Sequence, residues 1–214
     1  MSRRARFAER GDRELGFGVV GRARRHEALV DDVARRADYH TATNRMNDVT
    51  DPSASRADSL VRDLQLQPHP EGGHFREVFR SRRRVRTDDG RSERWASTSI
   101  YFLLRAGEFS RWHRVASDEI WHFYEGAPLE LVLLDATGER TRCDVLGPVG
   151  SPKAEPTRVV PAGIWQAARS TGAYTLVGCT VTPGFEFSDF RLMSGDASAA
   201  DALRARHPAL VPLL

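Results

Sequence analysis

Lysine is almost missing from this 214-residue chain: Lys153 stands alone, and the other basic residues are arginines. A surface that tracks phosphates needs basic residues in a stripe, interleaved with aromatics. The sequence has no such stripe. Residues 1–50 carry 11 arginines against 8 acidic residues, which accounts for the whole formal charge of +3. The pI of about 9.2 therefore belongs to one end of the chain, and no nucleic-acid partner is expected. Cysteine is scarce too. Cys143 and Cys179 are the only two, without Cys-x-x-Cys spacing. They read as small buried apolar residues, not as a disulfide framework or a zinc or redox motif. No run of about 18 apolar residues exists, so no membrane span is expected. The N-terminus lacks the apolar stretch of about 7–15 residues that marks a secretory signal. A soluble, cytoplasmic protein is expected. Internal repeats and a Gly-rich phosphate loop are also missing.

What is present changes character along the chain. Residues 1–45 are Arg-rich and poor in large apolar residues. Arg22 to Tyr39 fits a short charged helix with Leu29, Val30 and Val33 as its thin apolar face. Met46 heads a polar, turn-rich stretch and reads as a natural start, which makes residues 1–55 a disordered or misannotated extension. Asp58 to Leu66 fits a helix, with Leu60, Val61 and Leu64 at helical spacing, and Pro68 and Pro70 end it. From His74 on, the pattern is one of strands. They are expected at 74–81, 98–104, 110–115, 119–124, 129–134, 140–146, 157–160, 166–169, 174–181 and 187–193. Turn signals such as Asp89-Gly90, Thr137-Gly138 and Thr171-Gly172 separate them. Many short strands between turns indicate an all-β sandwich or barrel, not βαβ units. Ala197 to Arg206 reads as a C-terminal helix within a tail over 197–214.

Two motifs sharpen the fold. Gly107, five residues, His113, one residue, Val115, three residues, Glu119, six residues and Gly126 resemble the first signature of the cupin superfamily. Pro161-Ala-Gly163-Ile-Trp-Gln166 resembles the second. The resemblance implies a cupin double-stranded β-helix, or jelly roll, over residues 56–196, with short N- and C-terminal helices. In cupins these positions hold a metal through three histidines and a glutamate. Here Val115 and Gln166 stand where two of the histidines belong, and valine has no lone pair. His122 is three residues from Glu119 in one strand, so pleating turns it to the opposite face. Trp121 and Phe123 share the face of Glu119 and are expected to line the same cavity.

A denser likeness covers about residues 56–195. Pro68-His-Pro-Glu-Gly-Gly-His-Phe-Arg-Glu-Val-Phe-Arg-Ser81, Ser117-Asp-Glu-Ile-Trp-His-Phe-Tyr-Glu-Gly126, Val159-Val-Pro-Ala-Gly-Ile-Trp-Gln166 and Val177-Gly-Cys-Thr-Val-Thr-Pro-Gly-Phe-Glu-Phe187 resemble the Cupin_5 family, formerly DUF985. That likeness implies a small jelly roll, commonly dimeric, so a homodimer is expected. Gly72-Gly-His-Phe-Arg-Glu-Val-Phe79 also resembles a strand of the dTDP-4-keto-6-deoxyhexose 3,5-epimerases, which need no metal. That second likeness implies His113 as a catalytic base, with a tyrosine, Tyr101 or Tyr124, returning a proton.

Three functions follow. The first is a metal-independent isomerase or epimerase with His113 as base and Glu119 as its partner, and no cofactor. His74, Arg76, Tyr101, Arg111, Trp121, Phe123 and Gln166 then line the substrate site, with Arg76 and Arg111 clamping an anionic or sugar-like small molecule. The second is a metal-dependent, dioxygenase-like enzyme with a divalent ion on His113, Glu119 and a third ligand, Gln166 or His74. The third is a noncatalytic small-molecule binding module.

Overall fold

A computed structural model describes residues 52–214, with side chains from Arg56 onward. The helix expected over Arg22–Tyr39 and the start at Met46 lie outside the described residues. Helix α1 (Pro52–Asp63) begins earlier and ends earlier than the spacing of Leu60, Val61 and Leu64 predicts. Proline is well tolerated in a first turn, where its missing N–H has no partner to lose.

Two six-stranded sheets face each other. The first contains β1 (Gln67–Pro68), β2 (His74–Arg80), β5 (Thr98–Arg105), β7 (Asp118–Gly126), β11 (Thr157–Val160) and β13 (Tyr174–Thr182), in the order β1-β2-β5-β13-β7-β11. The second contains β6 (Phe109–Val115), β8 (Leu129–Leu134), β9 (Thr141–Leu146), β10 (Ala154–Glu155), β12 (Trp165–Ser170) and β14 (Phe190–Leu192), in the order β10-β9-β8-β12-β6-β14. A separate hairpin joins β3 (Arg84–Val85) to β4 (Arg94–Trp95). Consecutive strands β6 and β7 lie in different sheets, as in a jelly roll. The cupin fold that the two motifs imply is therefore the fold of this chain.

Each layer is held by its own apolar set. Between the sheets, Phe102, Leu104, Trp121, Leu131, Leu133, Val177 and Cys179 form the barrel core. Outside the second sheet, Trp112, Val132, Trp165 and Met193 pack under helix α2 (Ala197–Arg206) and the 3₁₀ turn 208–213 through Leu203, Leu210 and Leu213. That sheet is covered on both faces, so β8 is apolar at nearly every position, not alternating. Outside the first sheet, α1 covers Leu103, Tyr174 and Leu176 with Ala57 and Leu60. Asp196 caps α2 by accepting from the Ala199 N–H at 3.1 Å. The last expected strand is shorter than Phe187–Met193. Its ends are 3₁₀ turns at Phe187–Asp189 and Met193–Gly195, and only 190–192 pair with β6.

Candidate functional site

The two sheets leave a cavity of about 100 Å³ at one end of the barrel. Period-two alternation decides what reaches it. From β6 it receives His113 and Val115, from β7 Glu119, from β13 Cys179 and Val181, and from β2 Phe75 and Glu77. The turn before β2 adds His69 and Glu71. The segment 185–190 forms one rim with Phe185, Phe187 and Phe190.

His113 is 2% exposed. Its Nδ1 sits 2.8 Å from the Arg111 carbonyl. A carbonyl only accepts, so Nδ1 carries the proton and a neutral ring keeps its lone pair on Nε2. Nε2 lies 3.3 Å from Glu71 Oε2. Glu71 is buried as well, and its Oε1 accepts from the Ser110 hydroxyl at 2.9 Å. The Glu71 backbone N–H points at His69 Nδ1, 3.3 Å away, while Glu71 Oε2 is 3.5 Å from the same nitrogen. Burial pushes the His113 and His69 pKa values down and the Glu71 pKa up. Burial thus favours the neutral forms of all three groups, and Glu71 Oε2 faces the Nε2 lone pair at 3.3 Å without a hydrogen bond of ordinary length.

Two glycines allow Glu71 to sit there. Gly72 has φ +108°, and a Cβ on it would lie 2.1 Å from the Phe109 carbonyl oxygen. Gly73 has φ +66°, with the Leu103 carbonyl 2.7 Å from where its Cβ would be. Only residues without a Cβ let this turn lie flat on β5 and β6. The Arg111 N–H then donates to the Glu71 carbonyl at 2.8 Å.

Glu119 forms the second half of the site. Its Oε2 accepts from Gln166 Nε2 at 2.6 Å, and Gln166 Oε1 accepts from the Trp121 indole at 3.0 Å. Burial raises the Glu119 pKa, with His113 nearby opposing that shift. The Cys179 thiol, also buried, is pushed well up, first by burial and then by the Glu119 charge. It is therefore a poor nucleophile. Cys143 lies half-buried in the opposite layer, with its thiol pushed up to about 12 by burial.

The structure brings His113, Glu119 and Gln166 together, with Trp121 behind Gln166 and Phe123 packed on the barrel core. Trp121, Phe123 and Gln166 stand behind the cavity wall and do not line it as expected, and His74, Arg76, Tyr101 and the Arg111 side chain do not line it either. Phe75 and Glu77 face inward, so His74 and Arg76 on the same strand face outward. His74 Nδ1 lies 3.7 Å from Glu108, and the Arg76 guanidinium lies 5.8 Å from the Tyr101 ring on the outer face. Tyr101 and Tyr124 meet each other there, ring centroids 6.0 Å apart. Arg111 contributes its backbone to the site, and its side chain is exposed. His69 and Glu71 are the site residues that strand periodicity misses, because they come from a turn. The Glu71-Gly-Gly73 run is the signal that points to them.

A divalent metal does not fit the expected ligands. Gln166 engages both ends of its amide, one on Glu119 and one on Trp121. Val115 packs with Val181 and Phe190 at the second histidine position. His74 faces away. Among the described residues no three His, Cys, Asp or Glu side chains converge as a metal site requires.

Comparison with known proteins agrees with this architecture. The profile of the Cupin_5 family, described as Cupin superfamily (DUF985), matches residues 58–193. Among solved structures, a hypothetical protein from Leishmania major is 30% identical, with TM-score 0.64, over 73% of this chain and 96% of that one. A protein from Shewanella oneidensis is 36% identical, with TM-score 0.63, over 74% of this chain and 96% of that one. No curated protein matches. The chain belongs to the Cupin_5 (DUF985) family of the cupin superfamily.

Proposed function

We propose that this Cupin_5 protein binds a small carbonyl compound in its barrel and moves a proton on it by metal-independent isomerase chemistry. His113 is the base and Glu119 the acid. The observation that carries this reading is the tautomer of His113: its Nδ1–H is held by the Arg111 carbonyl at 2.8 Å, which leaves Nε2 as the basic atom at the cavity. Burial keeps the ring neutral near pH 7 and therefore able to accept.

The step balances simply. Nε2 takes a proton from the carbon beside the carbonyl, and the electron pair moves to the carbonyl oxygen. Glu119, whose protonated form burial favours and which Gln166 orients, donates to that oxygen as charge develops. Glu71 Oε2, 3.3 Å from Nε2, is placed to accept a hydrogen bond from the imidazolium that forms. Return of the proton from His113 to the former carbonyl carbon, as Glu119 takes back a proton from the hydroxyl or amino group on the other carbon, completes an isomerisation and restores both residues. Epimerisation would need a second donor on the far face. Tyr101 and Tyr124, the tyrosines expected in that role, lie outside the barrel, so transfer on one face is the favoured form.

The test is deuterium wash-in from D₂O at the carbon next to the carbonyl, followed by proton NMR. Substrates are small ketoses, 2-aminoketones and dTDP-4-keto-6-deoxyglucose. At least one is expected to exchange, and His113→Asn should slow it by about 100-fold or more, within the range for loss of a general base. No enzyme-dependent exchange on any of them would defeat the reading.

A further inference from the structure

The charges around the cavity point to the kind of ligand it takes. The side chains lining it include four carboxyls and one guanidinium. Glu71 and Glu119 are at the buried end, and Glu77 and Glu186 are at the mouth. The guanidinium, Arg80, is already engaged. Its Nε and one terminal nitrogen donate to the two Glu77 oxygens at 2.9 and 2.7 Å. Its other terminal nitrogen donates to Glu186 at 3.2 Å and to the Phe185 carbonyl at 3.4 Å. Arg76 and Arg111, expected as an anion clamp, are outside. An anionic ligand would thus enter a partly buried space with no unengaged cation to meet it, past a mouth of net charge −1. Desolvating a charge without a partner is strongly unfavourable.

The walls favour the opposite sign. Phe185 and Phe187 meet edge to face, centroids 5.1 Å apart, and Phe190 lies 6.0 Å from Phe185. Aromatic faces attract cations, more so when water is excluded. Carboxyl oxygens of Glu71 and Glu119 lie further in. We infer that the cavity selects small molecules bearing a positively charged nitrogen, such as an amine or amidine on a planar or apolar body, and rejects carboxylates and phosphates of the same shape. This rests on the proposed role of the cavity as the ligand site, and it narrows the substrate class to amino- or amidino-bearing carbonyl compounds.

Benzamidine, benzamide and benzoate make the test, being alike in shape and carrying +1, 0 and −1. Each is titrated into the full-length protein and followed by ligand-observed NMR. Benzamidine should bind at least tenfold tighter than benzoate, with benzamide between them. In Glu77→Gln/Glu186→Gln, Arg80 loses both carboxylates and the gap should shrink to threefold or less. Both residues line the mouth and are half-exposed, and Glu186→Gln alone should narrow the gap in part if the double variant does not fold. Benzoate binding as tightly as benzamidine overturns the inference. So does benzamidine binding no tighter than benzamide, or failing to bind at 10 mM. So does a gap that survives the substitutions. Failure of deuterium wash-in with the benzamidine preference intact removes the proton-transfer reading alone. Wash-in with benzoate preferred removes the ligand class alone.

Discussion

Glu119 is a carboxyl whose charge the fold resists. Burial raises its pKa above the ordinary carboxylate value, so between the unfolded pKa of about 4.3 and the raised folded value, the native state holds the extra proton. Stability then falls as pH rises through that window. Glu119→Gln removes this loss while keeping the shape and an oxygen for Gln166. The melting temperature of the variant relative to wild type is expected to rise between pH 5 and pH 8. Thermal unfolding at the two values checks this, and an equal difference at both would count against it. His113 and His69 act in the other sense. Their lowered values make the native state lose stability as pH drops below the unfolded histidine pKa of about 6.5. The sequence alone identified His113, Glu119 and Gln166 because the spacing of two motifs marked them. It did not identify Glu71, whose role depends on a turn laid against β6 and on a hydrogen bond to Ser110.

At the scale of elements, the rim of the cavity hangs on one buried ion cluster. Arg94 of β4 donates to both Asp189 oxygens at 2.7 and 2.8 Å. Arg91 donates to Asp189 at 2.9 Å and to Ser117 at 3.1 Å. Hydrogen bonding to Arg94 holds the Asp189 carboxyl below its usual range. The hairpin β3–β4 is thereby tied to the 3₁₀ turn that carries Phe187 and leads into Phe190. Removing one member leaves the other charge underpaired in a place poor in water. Arg94→Ala is expected to destabilise the protein by about 3 kcal/mol, the low end for a buried pair, because Arg91 still donates to Asp189. Amide exchange over residues 185–190 should quicken more than in the barrel core. Hydrogen-exchange mass spectrometry with a thermal melt tests both parts. None of this was legible in the sequence. No local pattern marks Arg91 or Arg94, and Asp189 is 95 residues away from Arg94.

For the whole molecule, the two sheets are finished unequally. The second is covered outside by the C-terminal helix, whereas the first is covered only in part, by α1. On its open part, Phe79 is 54% exposed, Tyr124 48% and Val159 50%. Val159 faces outward because its neighbour Val160 belongs to the barrel core. Tyr124 lies over Gly178, where a Cβ would come within 2.2 Å of its hydroxyl. The expected homodimer would use this face, since self-association buries the same patch on both partners. Light scattering after gel filtration should give twice the 23.9 kDa chain mass. Tyr124→Arg/Val159→Asp should give the monomer. A monomeric wild type at 50 µM would exclude the homodimer. Among the described residues no helix is long and apolar enough to cross a membrane.

The sequence by itself determined the longer strands, the C-terminal helix and the family, because alternation, turn residues and motif spacing are local properties, whereas the two-residue strands β1, β3, β4 and β10 are too short to show a pattern. Thr98, Phe109, Leu129 and Tyr174 open their strands within a residue of where the pattern puts them. Only the tertiary structure decided which side chains share the cavity. A strand's period tells that His74 and Phe75 face opposite ways, but not which way is inward. That choice is made when β2 pairs with β5 and the sheets close. It sent the expected arginines and tyrosines outside, brought His69 and Glu71 in from a turn, and left an aromatic-walled cavity whose carboxyls outnumber its single, already paired arginine.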